Sequence, residues 1–460
     1  MGKELQARRP HVYELDPLRA ITAFCVVAVH AVALTTFLNH TSVGTQIQNA
    51  LVVALHFTRE EFIFVTAFAL IYVYYGRPFD ITKFWGKRSV GVLLPYCIWS
   101  AIYVAVNVPG QAPLQYIQTT LIDIVSGNAS FQLYYILLTL QFYIIFPLFL
   151  LFMKRVAGYP WRVLSISFLL EVLLLYADYR WVQQGTLAAT GFWQFFAEYQ
   201  NRFILIYQFY FVLGGFTALY FQQVRSFLLR NGWLIATGFL AAIAVLWLHF
   251  LLQLQVYQDS MGYATSVLQP IMAFYSLAVI LFSFWLVCCW ASRRQKDNHP
   301  RAHRTWQVLS DASFGVYLIH VLFLTAILKW VLPAMPAVWP IAVRVFLTWF
   351  LTAASATTAT VILLYIPGLS RLVGRAQPSS KKLDSKPIQT PMGDSAEQSG
   401  TCTRSLRPPL IDRPFGRIYA TLTSKGTFKE RLQPATMIHS KPPEQPLPGV
   451  LASKQEGGGH

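Results

Sequence analysis

Residues 264–290 read ATSVLQPIMAFYSLAVILFSFWLVCCW, and residues 291–304 read ASRRQKDNHPRAHR. The first stretch carries no charged side chain and exceeds the roughly 20 apolar residues that a helix needs to cross a bilayer core. The second holds Arg293, Arg294, Lys296, Arg301 and Arg304, whereas residues 253–263, just ahead of the apolar run, hold no Lys or Arg. An apolar run with base on one flank only is the mark of a membrane span, because basic loops are retained in the cytoplasm.

The same pattern repeats outward in both directions. Apolar stretches fall at residues 17–38, 51–75, 89–108, 131–153, 163–177, 202–221, 233–252, 264–290, 313–332 and 339–366. One set of connections contains Lys3, Arg8 and Arg9; Arg77, Lys83, Lys87 and Arg88; Lys154, Arg155 and Arg162; and Arg225 and Arg230. The other set is nearly free of base, with Arg180 and Lys329 the main exceptions; residues 39–50 and 107–130 contain none. A miscounted helix would scramble this alternation. The sequence therefore predicts an all-α, polytopic transmembrane bundle of about ten helices with both termini in the cytoplasm. It divides into a cytoplasmic segment (1–14), a membrane domain (15–370) and a tail (376–460).

Composition supports this and excludes other classes. Hydrophobic residues make up 55% of the chain and charged residues 12%, against about 25% charged in soluble proteins. The 34 Phe, 23 Tyr and 13 Trp suit helices that touch lipid and end in aromatic belts. A net charge of +17 would point to nucleic acid in a soluble protein; here the basic residues sit between apolar segments, so no nucleic-acid partner is expected. The five cysteines show no CxxC or Cys/His spacing, so neither a disulfide framework nor a metal site is expected. The first apolar run is too long for a cleaved signal and is expected to be retained. The tail is rich in Pro, Ser, Lys and Gln and is expected to be disordered. Its Gly393-Asp394-Ser395 lacks the strand, the helix and the later histidine that a serine esterase requires.

Ionisable residues inside spans cost about 2.5–3.5 kcal/mol at a helix centre on insertion scales, so each needs a partner or a task. Arg19 and His30 lie eleven residues apart in the first span, which puts them on one helix face about 16 Å apart. Singly, Arg19 reads equally as a snorkelling anchor and His30 as a packed imidazole. His56, Arg59 and Glu60 fall at i, i+3 and i+4 in the second span, with Glu61 beside them, at the depth His30 should reach. They form either a polar site or a structural ion pair. In the ninth span Tyr317 and His320 share a face, and Ser310 or Ser313 is a plausible N-cap. Glu171 and Arg344 are further buried charges without assignable partners.

Several of these residues stand in familiar surroundings. Leu15-Asp16-Pro17-Leu18-Arg19-Ala20 followed by His30 resembles the first-helix signature of acyltransferase family 3, an Arg, ten residues and a His. Residues 62–68, FIFVTAF, are similar to its second-helix run, which usually ends Ser-Gly-Phe; here Thr66-Ala67 replaces the small pair. Residues 84–88 with Pro95-Tyr96, residues 142–147 and residues 209–214 have counterparts too, and residues 313–320, SFGVYLIH, match best. The resemblance covers residues 10–370, without a fused extracytoplasmic hydrolase-like domain.

The resemblance implies an enzyme that takes an acyl group, acetyl being the leading case, from cytoplasmic acyl-CoA and delivers it to a hydroxyl of an extracytoplasmic glycan. It implies a multi-pass protein of a bacterial cell membrane, with acyl-CoA as donor substrate and no permanently bound cofactor. A hydroxyl attacking a thioester must lose its proton, and a neutral His suits that near pH 7. His30 is the expected base or acyl relay, Glu60 or Glu61 would orient it or help shuttle its proton, and Arg19 would hold the pantetheine or phosphate end at the pore entrance. His56, Arg59, Tyr317 and His320 would line the cavity. Arg77, Lys87 and Arg88 at the basic mouth would bind the coenzyme A phosphates, although membrane topology alone could account for any one of them. The alternative is a transporter that exports a surface polysaccharide; the sequence shows neither the internal repeats nor the paired broken helices that would favour it.

Overall fold

The computed structural model describes residues 9–374 apart from 184, 186–190 and 298–299. The expectations placed on residues 1–8 and 376–460, including Gly393-Asp394-Ser395, lie outside the described residues. Among the described residues there is no strand. The helices are α1 (Leu15–Ala33), α2 (Ser42–Leu55), α3 (Thr58–Tyr74), α4 (Ile81–Arg88), α5 (Leu94–Asn107), α6 (Pro113–Ser126), α7 (Tyr134–Val156) and α8 (Pro160–Ala177). They continue with α9 (Gly191–Tyr199), α10 (Gln208–Leu219), α11 (Phe221–Arg230), α12 (Gly232–Gln255), α13 (Met261–Ala264), α14 (Pro270–Asp297), α15 (Pro300–Ala326) and α16 (Ile341–Tyr365).

Among the described residues eight helices are long and apolar enough to cross a membrane, or up to nine if the pair Gly191–Arg202 and Ile204–Leu219, bent by 43°, is one span. This is a polytopic membrane bundle. The remaining predicted span, 51–75, is split between α2 and α3. The break leaves the Ala54 carbonyl, which a continuous helix would give to the Thr58 N–H, and the Tyr275 hydroxyl donates to it at 2.8 Å. That repair matters where no water can replace a lost backbone bond.

Other boundaries differ from expectation for readable reasons. Residues 81–107 form one span in which a π-helical turn at Ser89–Leu93 joins α4 to α5. Lys83, Lys87 and Arg88 therefore stand on a helix rather than in a loop. α15 begins at Pro300, so Ser310 and Ser313 are interior and cap nothing; the Ser313 hydroxyl instead donates to the Ser310 carbonyl at 2.7 Å. α8 runs on through a π-helical turn to Gln183.

Helix α1 stands at the centre, packed by α2, α3, α14, α15 and α16. α3 meets α10 most extensively. There Gly214 lets the backbones approach: a Cβ at that position would lie 3.0 Å from both the Ala67 Cβ and the Phe68 nitrogen. The small residue that Thr66-Ala67 lacks is thus supplied by the facing helix, as membrane helix contacts favour.

Connections gather at two ends. At one, Arg9 donates to the Tyr75 carbonyl, Glu14 pairs with Arg225 at 2.9 Å, and the Arg294 guanidinium sits 3.8 Å from the centre of the Tyr13 ring. At the other, Asn107 donates to the Ala129 carbonyl, Arg202 to Asn128, and Gln183 to the Leu268 carbonyl. The basic connections share the first end and the base-poor ones the second, as the alternation predicts.

Candidate functional site

The last two turns of α1 bring His30 against Phe131, with ring centres 4.7 Å apart, and against His320 of α15. The two imidazoles stack at 5.4 Å with their planes 18° apart. Among the described residues no hydrogen bond holds the half-buried His30 ring. His320 is different. Its Nδ1 lies 2.8 Å from the Tyr317 carbonyl and 3.2 Å from the Val316 carbonyl. Carbonyl oxygens only accept, so Nδ1 carries the proton and Nε2 keeps its lone pair. That Nε2 is buried and unpartnered.

More polar atoms without partners lie nearby. His56 caps the end of α2 within electrostatic reach of His30, and its Nδ1 is buried and unpartnered. Gln132 follows Phe131; its backbone carbonyl accepts from the Tyr317 hydroxyl and its Oε1 accepts from Ser130 at 2.6 Å. Its Nε2 is buried without a partner. Buried polar atoms in membrane interiors call for a partner, and here the unpartnered nitrogens of His56 and His320 lie beside the one imidazole, His30, that the sequence singles out.

Eleven residues below His30, Arg19 is half-buried and lies within electrostatic reach of Asp16, Tyr143, Arg88 and Asp311. Among the described residues it makes no hydrogen bond or ion pair. Arg88 reaches back from the end of α4, its guanidinium 4.9 Å from the Tyr143 ring centre. Two guanidinium groups thus share the basic end of the bundle. Lys87 is exposed and Arg77 lies beside Tyr72, so neither is drawn to Arg19 by a described contact.

Neither carboxylate expected to orient His30 touches it. Glu61 accepts from Thr22 at 2.9 Å and from the Ser283 hydroxyl. Thr22 lies three residues past Arg19 and eight short of His30, about 12 Å along the helix. Because α3 starts only at Thr58, its first turn meets α1 nearer to Arg19 than to His30. Glu60 points elsewhere, with Oε1 3.4 Å from Arg59 and Oε2 buried and unpartnered. His56 and the Arg59–Glu60 pair also belong to different helices, not to one face.

Arg59 is the centre of a second polar cluster. Its guanidinium donates to the hydroxyls of Tyr207 at 3.1 Å and Tyr134 at 3.4 Å. Glu171 finds partners here too, accepting from the Phe209 N–H and the Gln208 amide, each at 3.3 Å. Arg344 stays apart, its Nε buried without a partner. The sequence reading missed Thr22, Ser283, Gln132, Tyr134 and Tyr207. For Thr22 a signal existed, a hydroxyl one turn above Arg19 on the same face; the others come from distant segments that only packing brings in. Among the described residues no group of three or more His, Cys, Asp or Glu side chains could hold a metal ion.

Residues 12–367 match the family model described as an acyltransferase domain. No curated protein and no solved structure matches the chain.

Proposed function

Since the chain belongs to acyltransferase family 3 and is a multi-pass membrane O-acyltransferase, we propose that it moves an acyl group, acetyl being the simplest, from cytoplasmic acyl-CoA to a glycan hydroxyl across the membrane. The observation that carries this reading is the vertical arrangement on α1. A guanidinium pair, Arg19 and Arg88, stands at the basic end, and an imidazole pair, His30 and His320, stands about 16 Å above it. The guanidiniums suit the coenzyme's phosphates, with Lys87 and Arg77 adding positive charge at the rim. The pantetheine arm then carries the thioester upward to the imidazoles, while the glycan enters from the base-poor end. The basic end is cytoplasmic on the topology that basic loops impose, and a bacterial cell membrane is the setting.

In the transfer a C–O bond forms between the acceptor oxygen and the acyl carbon, and the C–S bond breaks. Over the whole exchange the hydroxyl loses one proton and the departing sulfur gains one, so no external proton source is needed. His30, free of hydrogen bonds, is the imidazole placed to serve this exchange as proton acceptor or acyl relay. The test supplies labelled acetyl-CoA to one face of sealed vesicles and measures ester on the glycan of the other. His30→Ala should lower transfer per folded molecule by about 10²–10⁴-fold, the usual cost of a positioned base. Near-normal transfer would remove His30 from the chemistry; no transfer by the unchanged chain with any acyl-CoA would leave polysaccharide export as the better account.

A further inference from the structure

His320 does not fit the role of a wall residue. Its ring is fully buried, its Nδ1 is fixed by two backbone carbonyls, and its Nε2 lone pair faces no protein donor. A buried imidazole with one nitrogen anchored and the other bare is built as a base: the anchoring bond fixes the tautomer and holds the ring in place. His30 is the complement, half-buried, unanchored and stacked against it at 5.4 Å. Once one nitrogen of an imidazole is acylated, the other is only a weak base and its lone pair points away from the acyl carbon, so a relay through His30 needs a second base for the attacking hydroxyl.

We propose that the two stacked imidazoles divide the reaction, His30 carrying the acyl group and His320 Nε2 receiving the proton of the acceptor hydroxyl. This rests on the acyl-CoA reading above. First, a ring nitrogen of neutral His30 attacks the thioester carbonyl; a C–N bond forms, the C–S bond breaks, and the proton on the other ring nitrogen passes to the sulfur, releasing the thiol. The acceptor hydroxyl then attacks the acyl carbon. A C–O bond forms, the C–N bond breaks, and the hydroxyl proton goes to His320 Nε2. The resulting imidazolium returns a proton to His30, which restores both rings as neutral groups. Nothing beyond donor and acceptor is consumed.

The deciding variant is His320→Asn, whose amide can keep the donation to the backbone carbonyls while removing the Nε2 lone pair; His320→Gln is the second variant. Either one is used where its thermal midpoint in detergent matches the unchanged chain. Two acceptors are compared with acetyl-CoA as donor, the glycan and hydroxylamine. Hydroxylamine is nucleophilic as the free amine and needs no base to attack an acyl-imidazole. Transfer to the glycan should fall by about 10²–10⁴-fold. A burst of thiol of up to one per chain and hydroxamate formation should persist within about tenfold. His30→Asn should lose both. Glycan transfer at the unchanged rate in the folded His320 variant overturns the proposal, as does equal loss of both reactions, which would make His320 a support for His30. Absence of thiol release from the unchanged chain with every acyl-CoA would instead overturn the acyl-CoA reading itself. If neither His320 variant folds, the unchanged chain still decides: without acceptor it should release one thiol per chain and retain one labelled acyl group, and a chain that retains none refutes the relay.

Discussion

The indole N–H of Trp85 donates to the carbonyl of Tyr143 at 2.9 Å. That carbonyl is the one that Pro147, inside α7, cannot serve, because proline has no N–H to offer four residues back. A tryptophan on α4 therefore completes a helix it does not belong to, and the same Tyr143 ring lies under Arg88. The repair fixes α4 against α7 where the basic mouth is built.

A double-mutant cycle tests this repair. Trp85→Phe should lower the thermal midpoint in detergent, with a coupling of about 0.6 kcal/mol and at most about 1.7. In a Pro147→Ala background the Tyr143 carbonyl regains a helical donor, so the cost of Trp85→Phe should shrink towards zero. Equal costs in both backgrounds would mean that the indole bond is incidental.

Gly214 offers a packing test. Gly214→Ala places a methyl group 3.0 Å from the Ala67 Cβ and the Phe68 nitrogen, and close to the Phe64 carbonyl. Overpacking of this kind costs about 1–3 kcal/mol. Adding Ala67→Gly should recover only part of the loss, because it removes the side-chain clash and leaves the backbone ones. Full recovery, read from detergent unfolding, would show that α3 can shift.

Much of this was legible in the sequence because membrane insertion writes itself in one dimension. Span length and loop charge locate helices without reference to packing, and His30 and Arg19 lie on one regular helix whose pitch can be counted. What failed is three-dimensional. The break at His56 depends on Tyr275, more than 200 residues away, satisfying the Ala54 carbonyl. Counting i, i+3 and i+4 across that break put His56, Arg59 and Glu60 on one face that does not exist. The stacking of His30 on His320 joins the first and ninth predicted spans, and no local spacing encodes it.

Topology is testable at single residues. With native cysteines replaced, Val43→Cys and Tyr257→Cys should react with an impermeant thiol reagent from outside, both being exposed at the base-poor end. Lys154→Cys, exposed in the last, basic turn of α7, should react only after the membrane is opened. Outside labelling of Lys154→Cys would reverse the orientation and with it the side on which acyl-CoA binds.

The Arg59–Glu60 pair allows a sharper distinction, between charge kept for folding and charge kept for chemistry. Both side chains are buried, and the guanidinium is shared with the hydroxyls of Tyr134 and Tyr207. Removing one partner strands the other: Arg59→Met leaves a buried carboxylate whose Oε2 already lacks a donor. Breaking a buried pair this way costs about 3–5 kcal/mol, whereas replacing both members is often nearly neutral. Arg59→Met alone should therefore express poorly, and Arg59→Met with Glu60→Gln should return towards the stability of the unchanged chain. The double variant then separates the two roles. Because no hydrogen bond or ion pair among the described residues joins the cluster to His30, and Glu60 is turned to Arg59, acyl transfer per folded molecule should stay within about tenfold of the unchanged chain, well short of the 10²–10⁴-fold expected for a positioned acid or base. A stable double variant with transfer lost to that larger degree would make the cluster part of the reaction path rather than its scaffold.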